Sequence, residues 1–225
     1  MKIGIFGDSF ADRQARTGWW HTLKHFGHDV TSFGESGSSI DFSAGLLWTH
    51  AEEFDHIIWC VTNVNRVSFY HDDRALHVTN AWDDDLSDAQ ARRRQDIAKQ
   101  YLSNVFEPHG HEVIAHLAIK AALDRYSNLM IIPCFATPIY FMQPVGFNLY
   151  DLSTREAQYY FPGSQLVDIF RTHQDRRACH FTNTWNAVLA NEIMQALMRH
   201  QRILDLDPDM FPAPLDPVQE VFTPR

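Results

Sequence analysis

Four short apolar runs divide the first two thirds of the chain, and each ends at a glycine or a polar turn. They cover Lys2–Phe6, His28–Phe33, Asp55–Thr62 and Asn128–Phe135. Runs of three or four consecutive apolar residues are typical of strands that are buried on both faces of a parallel sheet. The pattern therefore predicts four strands of one parallel sheet.

The segments between and after these runs carry apolar residues at helical spacing. We predict helices at Ala11–His25, Ser87–Val105, Glu112–Tyr126 and Thr184–Leu204, the last capped by Thr182 or Asn183. Strands that alternate with helices predict an α/β fold, with helices layered on the two faces of the sheet.

Three segments do not fit this simple alternation. Residues 67–111 are longer than a crossover requires and carry acidic and basic runs, which indicates a solvated insertion that contains a helix. Residues 138–162 form a predicted loop that is rich in aromatic side chains. From Asp205 onward, five of the ten prolines fall in 21 residues, so this part cannot continue a helix. We therefore predict a domain over residues 1–204 and a proline-rich arm over residues 205–225, which lies on the surface or on a partner.

Charge and cysteine content narrow the class of protein. There are 19 Lys and Arg residues against 28 Asp and Glu residues, a net charge of −9, which argues against a nucleic-acid partner. The three cysteines (Cys60, Cys134 and Cys179) form no CxxC pair, and a reducing compartment is expected. No signal peptide and no membrane span are recognised. The sequence predicts a soluble cytoplasmic chain, and packaging into a virion or release by lysis stays open.

The segment Gly7-Asp8-Ser9-Phe10 directly follows the first predicted strand. Ligands of open parallel sheets bind at the carboxyl ends of the strands, so Ser9 is well placed for a nucleophile. The glycine allows a sharp turn, and a helix N-terminus favours developing negative charge. An Asp-Ser pair before a helix is also an ordinary cap, and Asp8 is expected to be a structural turn residue.

The other strand ends supply the remaining groups that acyl transfer needs. A glycine-rich turn at residues 34–39 follows the second strand, and amides follow the third strand at Asn63 and Asn65. His180 precedes the last helix, and Asp175 is the nearest acid upstream of it. A hydroxyl, an imidazole, a carboxylate and hydrogen-bond donors for an oxyanion together are typical of a serine hydrolase.

On these residues the sequence resembles the SGNH (GDSL-type) hydrolase superfamily, in a form similar to divergent bacterial and phage members. Its four blocks supply Ser, Gly, Asn and His in this order, and they map onto Ser9, Gly37, Asn63 and His180. Asn65 competes with Asn63 as the third-block match. The third block lacks its usual Gly and Asp, and Arg177 stands where the last block has its Asp.

The resemblance implies a three-layer α/β/α, flavodoxin-like fold and hydrolysis of carboxylic esters without a cofactor. His180 would accept the proton of Ser9 and Asp175 would orient the imidazole, while the oxyanion would be held by the backbone N–H groups of Ser9 and Gly37 and by the Asn63 amide. Aromatic side chains suit acyl chains or sugar faces, so a small ester or an acetylated carbohydrate is the expected substrate. Four aromatic residues of the 138–162 segment are the candidates for substrate binding: Tyr140, Phe141, Tyr159 and Tyr160.

The sequence also leaves other functions open. The first alternative is a catalytically weak or inactive module of the same fold, which binds into a larger assembly or forms a homo-oligomer through the 205–225 arm. A flavodoxin-like cofactor binder is a weaker alternative. The histidines at 109, 111 and 116, and those at 21 and 25, have neither a cysteine nor the pattern of supporting residues typical of zinc and are interpreted as surface residues. No lysine follows the serines at 36–39 as a phosphate-binding loop requires.

Overall fold

A computed structural model describes residues 1–15, 18–64, 66–71, 74–78, 96, 100–101, 103–104, 107–135, 147–160 and 181–212. Its strands are β1 (Lys2–Phe6), β2 (Asp29–Ser32), β3 (His56–Val61), β4 (Val67–His71), β5 (Arg74–Val78) and β6 (Leu129–Pro133). Its longer helices are α1 (Trp19–His25), α2 (Ile40–His50), α3 (Pro108–Arg125), α4 (Leu149–Tyr160) and α5 (Asn183–Met198). Short 3-10 helices cover Ser9–Ala11, Ala51–Glu53 and Pro208–Met210.

The central sheet has four parallel strands in the order β2-β1-β3-β6. Ile5 of β1 lies opposite Ser32 of β2 on one side and Ile58 of β3 on the other. These are the four strands that the apolar runs predict, so the α/β class with a parallel sheet is confirmed.

Side chains of the sheet alternate between two hydrophobic clusters, one on each face. Ile5 and Cys60 face the cluster that α1, α4 and α5 cover, whereas Trp59 and Ile131 face the cluster that α2 and α3 cover. The period of two along each strand explains why both faces of the sheet are apolar. The described residues therefore form helices on both sides of one sheet.

Several helix boundaries differ from the prediction. The helix expected from Ala11 begins only at Trp19, because residues 9–11 form a 3-10 turn and Asp12 then bridges to Gly34. The helix expected to reach Leu204 ends at Met198, and His200, two residues later, adopts a φ of 56°. Thr182, not Asn183, caps this helix through the backbone N–H of Trp185.

Some elements were not predicted at all. Helix α2 follows the glycine-rich turn, and its buried residues Ile40, Ala44 and Leu47 do have helical spacing. The antiparallel β4–β5 hairpin occupies the start of the predicted insertion at 67–111. Helix α3 was predicted over Glu112–Tyr126 and begins four residues earlier, at Pro108 inside that insertion. Helix α4 lies within the predicted aromatic loop at 138–162, so residues 149–160 of that segment are helical.

The first part of the proline-rich arm packs on the sheet and on α5. Ile203 bridges to Ile131 of β6, just before the arm begins. Leu206 and Phe211 are buried, and the Trp185 indole N–H donates to the carbonyl of Pro212 at 3.0 Å. Leu206 and Phe211 therefore anchor residues 205–212 in the hydrophobic core of this face, and residues 213–225 of the arm lie outside the described residues.

Cys60 and Cys134 are buried free thiols on neighbouring strand ends. Burial raises the pKa of the Cys134 thiol, and the adjacent Cys60 raises it further. Both side chains therefore act as small apolar core residues.

Among the residues that the structure describes, none of the helices is both long and apolar enough to span a membrane.

Candidate active site

The carboxyl ends of β1 and β3 lie side by side in the middle of the sheet. The chain runs from β1 to the β2 edge and then returns to β3 on the other side of β1. Open α/β sheets bind ligands in the crevice outside the carboxyl ends of their strands, where the strand order reverses. Ser9 follows β1, and Thr62 and Asn63 follow β3, so the topology places two predicted blocks at this position.

Ser9 begins the 3-10 helix after β1 and is half-buried. The residues on either side of it, Asp8 and Phe10, are both buried. The carbonyl of Phe10 accepts a hydrogen bond from the Trp19 indole N–H at 2.9 Å, which ties this turn to α1. Ser9 is therefore the more accessible residue of this turn, while the buried residues on either side of it hold the turn in place.

Gly7 allows the turn to lie directly against β3. Its φ of 146° is one that residues with a side chain rarely adopt, and a Cβ at this position would lie 2.5 Å from the carbonyl oxygen of Cys60. Only glycine permits both the conformation and the close approach. The first block therefore needs this glycine for packing.

The glycine-rich turn at residues 34–39, which is the second block, is hydrogen-bonded to the carbonyl of Gly7 in the first block. This carbonyl accepts the backbone N–H of Glu35 at 3.1 Å and the Ser38 hydroxyl at 2.9 Å. Gly37 lies between these two donors and has a φ of 81°, in the left-handed region that favours glycine. The predicted oxyanion residue Gly37 thus belongs to a turn that is held against the strand end bearing Ser9.

The carboxylate of Asp8 is completely buried and accepts three hydrogen bonds, one from the Ser9 turn and two from the segment that follows β3. Its Oδ1 accepts the backbone N–H of Phe10 at 3.1 Å, and its Oδ2 accepts the Thr62 hydroxyl and Nη1 of Arg66, both at 2.7 Å. Burial raises the pKa of the Asp8 carboxyl, while Arg66 and the hydrogen bonds from Thr62 and Phe10 act to lower it. Asp8 is a turn residue, as predicted, but it also joins the ends of β1 and β3.

No role for Arg66 was predicted from the sequence. Its guanidinium lies 4.6 Å from the ring centroid of Phe135, and Phe135 packs edge-on against Phe10 at 5.9 Å. The Phe135 ring also stacks on Tyr150 at 5.4 Å. An aspartate at the end of an apolar strand requires a charged or hydrogen-bonding partner, and this was the one signal in the sequence that could have pointed to Arg66.

Asn63 is half-buried and starts the turn that follows Thr62. The backbone N–H of Arg66 donates to the carbonyl of Asn63 at 3.1 Å, which closes this turn. Asn63 therefore follows β3, the strand that pairs with β1, whereas its competitor Asn65 lies outside the described residues.

The proposed base and its acid, His180 and Asp175, also lie outside the described residues. The residue after His180 is described: Phe181 is buried, and its ring centroid lies 6.0 Å from that of Phe10. Phe181 therefore packs against the turn that carries Ser9.

A buried glutamate fixes the start of α5. Glu156 of α4 is completely buried, and its two carboxylate oxygens accept the backbone N–H of Thr182 at 3.2 and 3.1 Å. The Thr182 hydroxyl also donates to Glu156. This contact was not predicted, although Glu156 shares the buried face of α4 with Leu149 and Leu152 at helical spacing.

We expect Thr182→Ala to lower the free energy of unfolding by about 2 kcal/mol. The change removes the cap of α5, worth about 1 kcal/mol, and takes one donor from a buried carboxylate. Urea denaturation followed by circular dichroism measures the difference. Thr49→Ala is the matched control, since the exposed Thr49 hydroxyl donates only to a carbonyl of its own helix; an equal loss in both variants would contradict the assignment.

Of the four predicted substrate-binding aromatics, Tyr140 and Phe141 lie outside the described residues. Tyr159 and Tyr160 belong to the last turn of α4, and their side chains are outside the described part as well. Among the described aromatic rings, those of Phe135 and Phe181 contact the Phe10 ring, and the Phe135 ring stacks on Tyr150.

A cavity of about 260 Å³ lies at the opposite, amino edge of the sheet and is lined by His56, Asn128, His200 and Arg202. The Arg202 guanidinium donates to three backbone carbonyls at 2.7–2.8 Å. The Asn128 amide likewise donates to two carbonyls. These polar side chains therefore hold chain segments together.

Within the described part of the chain, no group of three or more His, Cys, Asp or Glu residues is arranged to hold a metal ion.

The fold and this site define a mixed α/β protein with a half-buried serine and a buried ion pair at the carboxyl edge of a parallel sheet. No protein-family model matches the chain, and no curated protein matches it in sequence. Its function is therefore inferred from the chemistry of the site.

Proposed function

We propose that the protein is a serine-dependent hydrolase of carboxylic esters with the three-layer, flavodoxin-like fold of the SGNH superfamily. The observation that carries the proposal is the position of Ser9. It is half-buried at the carboxyl end of β1, with the Gly37 turn bound to the same strand end and Asn63 following the neighbouring strand. Nucleophile and candidate oxyanion donors thus come from three chain segments that converge at one edge of the sheet.

The strand order supports the finer fold assignment. The four parallel strands, taken in chain order, are arranged second, first, third, fourth. Flavodoxin-like sheets have this order and bind their ligands between the first and third strands. Ser9 and Asn63 follow those two strands.

In the proposed reaction the Ser9 hydroxyl attacks the ester carbonyl while His180 accepts its proton. The tetrahedral oxyanion is held by the backbone N–H groups of Ser9 and Gly37 and by the Asn63 amide. His180 then gives its proton to the leaving alcohol, an acyl group stays on Ser9, and a water molecule deprotonated by His180 releases the acid. Asp175 orients the imidazole and stabilises its protonated form.

The contact between Phe10 and Phe181 supports the pairing of Ser9 with His180. Each ring belongs to the residue that follows its proposed catalytic partner in the chain, and the two centroids are 6.0 Å apart. Consecutive α-carbons are about 3.8 Å apart, so the contact favours a short distance between the two blocks.

The proposed substrate is a small ester or an acetylated carbohydrate. Phe135 and Tyr150 stack on each other beside Phe10, which puts apolar ring surface next to the Ser9 turn. Rings of this kind suit acyl chains and the faces of sugars. Phe135 and Tyr150 therefore join Tyr140, Phe141, Tyr159 and Tyr160 as proposed substrate-binding residues.

Covalent labelling with a fluorophosphonate probe tests the proposal. We expect one label per chain, and tandem mass spectrometry of the tryptic peptides should place it on Ser9. The His180→Ala variant should label much more slowly, because the serine then has no general base. A folded protein that does not react would instead favour a binding module of this fold, an alternative motivated by Val61 and Val64, which stand where the superfamily's third block has Gly and Asp.

A further inference from the structure

The geometry points to Asp8 as a positioning residue for the oxyanion hole: its buried carboxylate holds the turn that presents the Asn63 amide. The inference rests on the proposed function and adds a role for Asp8 beyond that of a turn residue. It also gives a role to Thr62 and Arg66, the two side chains that bind the same carboxylate oxygen.

Asn63 lies between the two residues that Asp8 binds after β3. Thr62, one residue before it, donates its hydroxyl to Oδ2 of Asp8 at 2.7 Å. Arg66, three residues after it, donates Nη1 to the same oxygen at 2.7 Å, and its backbone N–H closes the turn on the Asn63 carbonyl at 3.1 Å. The residues at both ends of the Asn63 turn are therefore hydrogen-bonded to the same atom, Oδ2 of Asp8.

The other oxygen of the same carboxylate fixes the nucleophile. Oδ1 accepts the N–H of Phe10 and so caps the 3-10 turn that begins at Ser9. One side chain therefore sets the position of the Ser9 turn relative to the Asn63 turn. Asp8 is completely buried and Thr62 is 1% exposed, so water cannot take the place of either group.

Arg66 also balances the charge that this arrangement requires. A carboxylate next to the nucleophile would oppose the negative charge that develops on the substrate oxygen, since the effective dielectric constant of a buried site is low. The guanidinium is bound to that carboxylate and lies over the Phe135 ring, with only 15% of the Arg66 side chain exposed. An ion pair fixes the turns without adding a net charge beside Ser9.

A double-mutant cycle between Thr62→Val and Asn63→Ala tests the inference on the full chain, with p-nitrophenyl acetate as the substrate. Removal of one oxyanion donor typically lowers kcat by about 100-fold or more, which is the expected effect of Asn63→Ala. Thr62→Val should lower kcat by about tenfold and leave KM unchanged, because the amide is then less well placed. In the Asn63→Ala background it should have almost no further effect, since coupled residues are not additive.

Two further variants separate positioning from a general loss of stability. Thr62→Ser keeps the hydroxyl and should restore a nearly normal kcat. Ser43→Ala removes an equally buried hydroxyl, which accepts the Trp59 indole N–H at 3.0 Å in the cluster covered by α2, and should leave kcat unchanged. Should Thr62→Val fail to fold, Asp8→Asn takes its place in the cycle.

The outcomes distinguish the inference from the proposed function. If the wild-type protein neither hydrolyses the ester nor labels at Ser9, the proposed function fails and the inference fails with it. If the wild type is active but Thr62→Val keeps its kcat, or lowers it equally with and without the Asn63 amide, the inference is wrong and the hydrolase stands.

Discussion

Replacing Ser9 with alanine should abolish the turnover of p-nitrophenyl acetate. Removing the nucleophile of a serine hydrolase leaves only the oxyanion donors and substrate binding, so kcat should fall by at least about 10⁴-fold. The fold should be retained, because Ser9 is half-buried and the cap of its turn comes from Asp8. Initial rates measured from nitrophenolate absorbance, together with a thermal melting curve, give both quantities.

Ser127→Ala is a matched control for this experiment. Ser127 is an exposed serine at the amino edge of the sheet, between α3 and β6. Its replacement should leave turnover unchanged. Esterase activity that persists in Ser9→Ala at the wild-type level would exclude Ser9 as the nucleophile and with it the proposed mechanism.

The strands were the most predictable part of this fold. Residues 57–61 and 129–133 are buried in a sheet that is covered on both faces, so nearly every position of these strands must be apolar. A continuous apolar run that stops at a polar turn is then visible in the sequence without any knowledge of the partner strands. This reason holds for β1, β3 and β6, whereas the edge strand β2 buries only Val30.

Helix starts were less predictable because tertiary contacts decide them. Residues 11–18 have a composition that suits a helix, yet Asp12 pairs with Gly34 and the Arg13 N–H donates to the Gly34 carbonyl. A Cβ on Gly34 would lie 2.1 Å from the carbonyl oxygen of Ala11, so this close contact depends on a glycine far along the chain. The sequence of the segment itself does not show it.

The same distinction applies to the candidate site. Ser9, Gly37 and Asn63 could be found because each follows a strand that the apolar pattern predicts. The partners of the buried carboxylates could not, since Arg66 is 58 residues from Asp8 and Thr182 is 26 residues from Glu156. Sequence shows that a buried charge needs a partner, but only the folded chain shows which residue supplies it.

The largest loss of stability is expected from Arg66→Met. Methionine keeps an apolar stem beside Phe135 but leaves the completely buried Asp8 carboxylate without its cation. Breaking a buried ion pair from one side typically costs 3–5 kcal/mol, and we expect about 3 kcal/mol at pH 7.5 because Arg66 is partly exposed. Urea denaturation at several pH values measures the difference in the free energy of unfolding.

The loss should become smaller as the pH is lowered. Burial raises the pKa of Asp8, and Arg66 is the strongest of the groups that act to lower it. Without Arg66 the pKa of Asp8 rises further, so the folded state holds a proton that the unfolded chain has released. Stability of the variant then falls as the pH rises from the usual pKa of an aspartate to the raised one. At pH 5 the variant should accordingly lie closer to the wild type than at pH 7.5.

Two control variants identify the cause of this effect. Asp8→Asn combined with Arg66→Met removes the buried charge, so the double variant should lose the added pH dependence and recover part of the stability. Arg125→Met removes an exposed arginine that also lies over aromatic rings and pairs with Glu52, and it should change stability little. If Arg66→Met is as stable as the wild type at pH 7.5, Asp8 does not depend on its cation, and the coupling of the two strand ends through this pair is wrong.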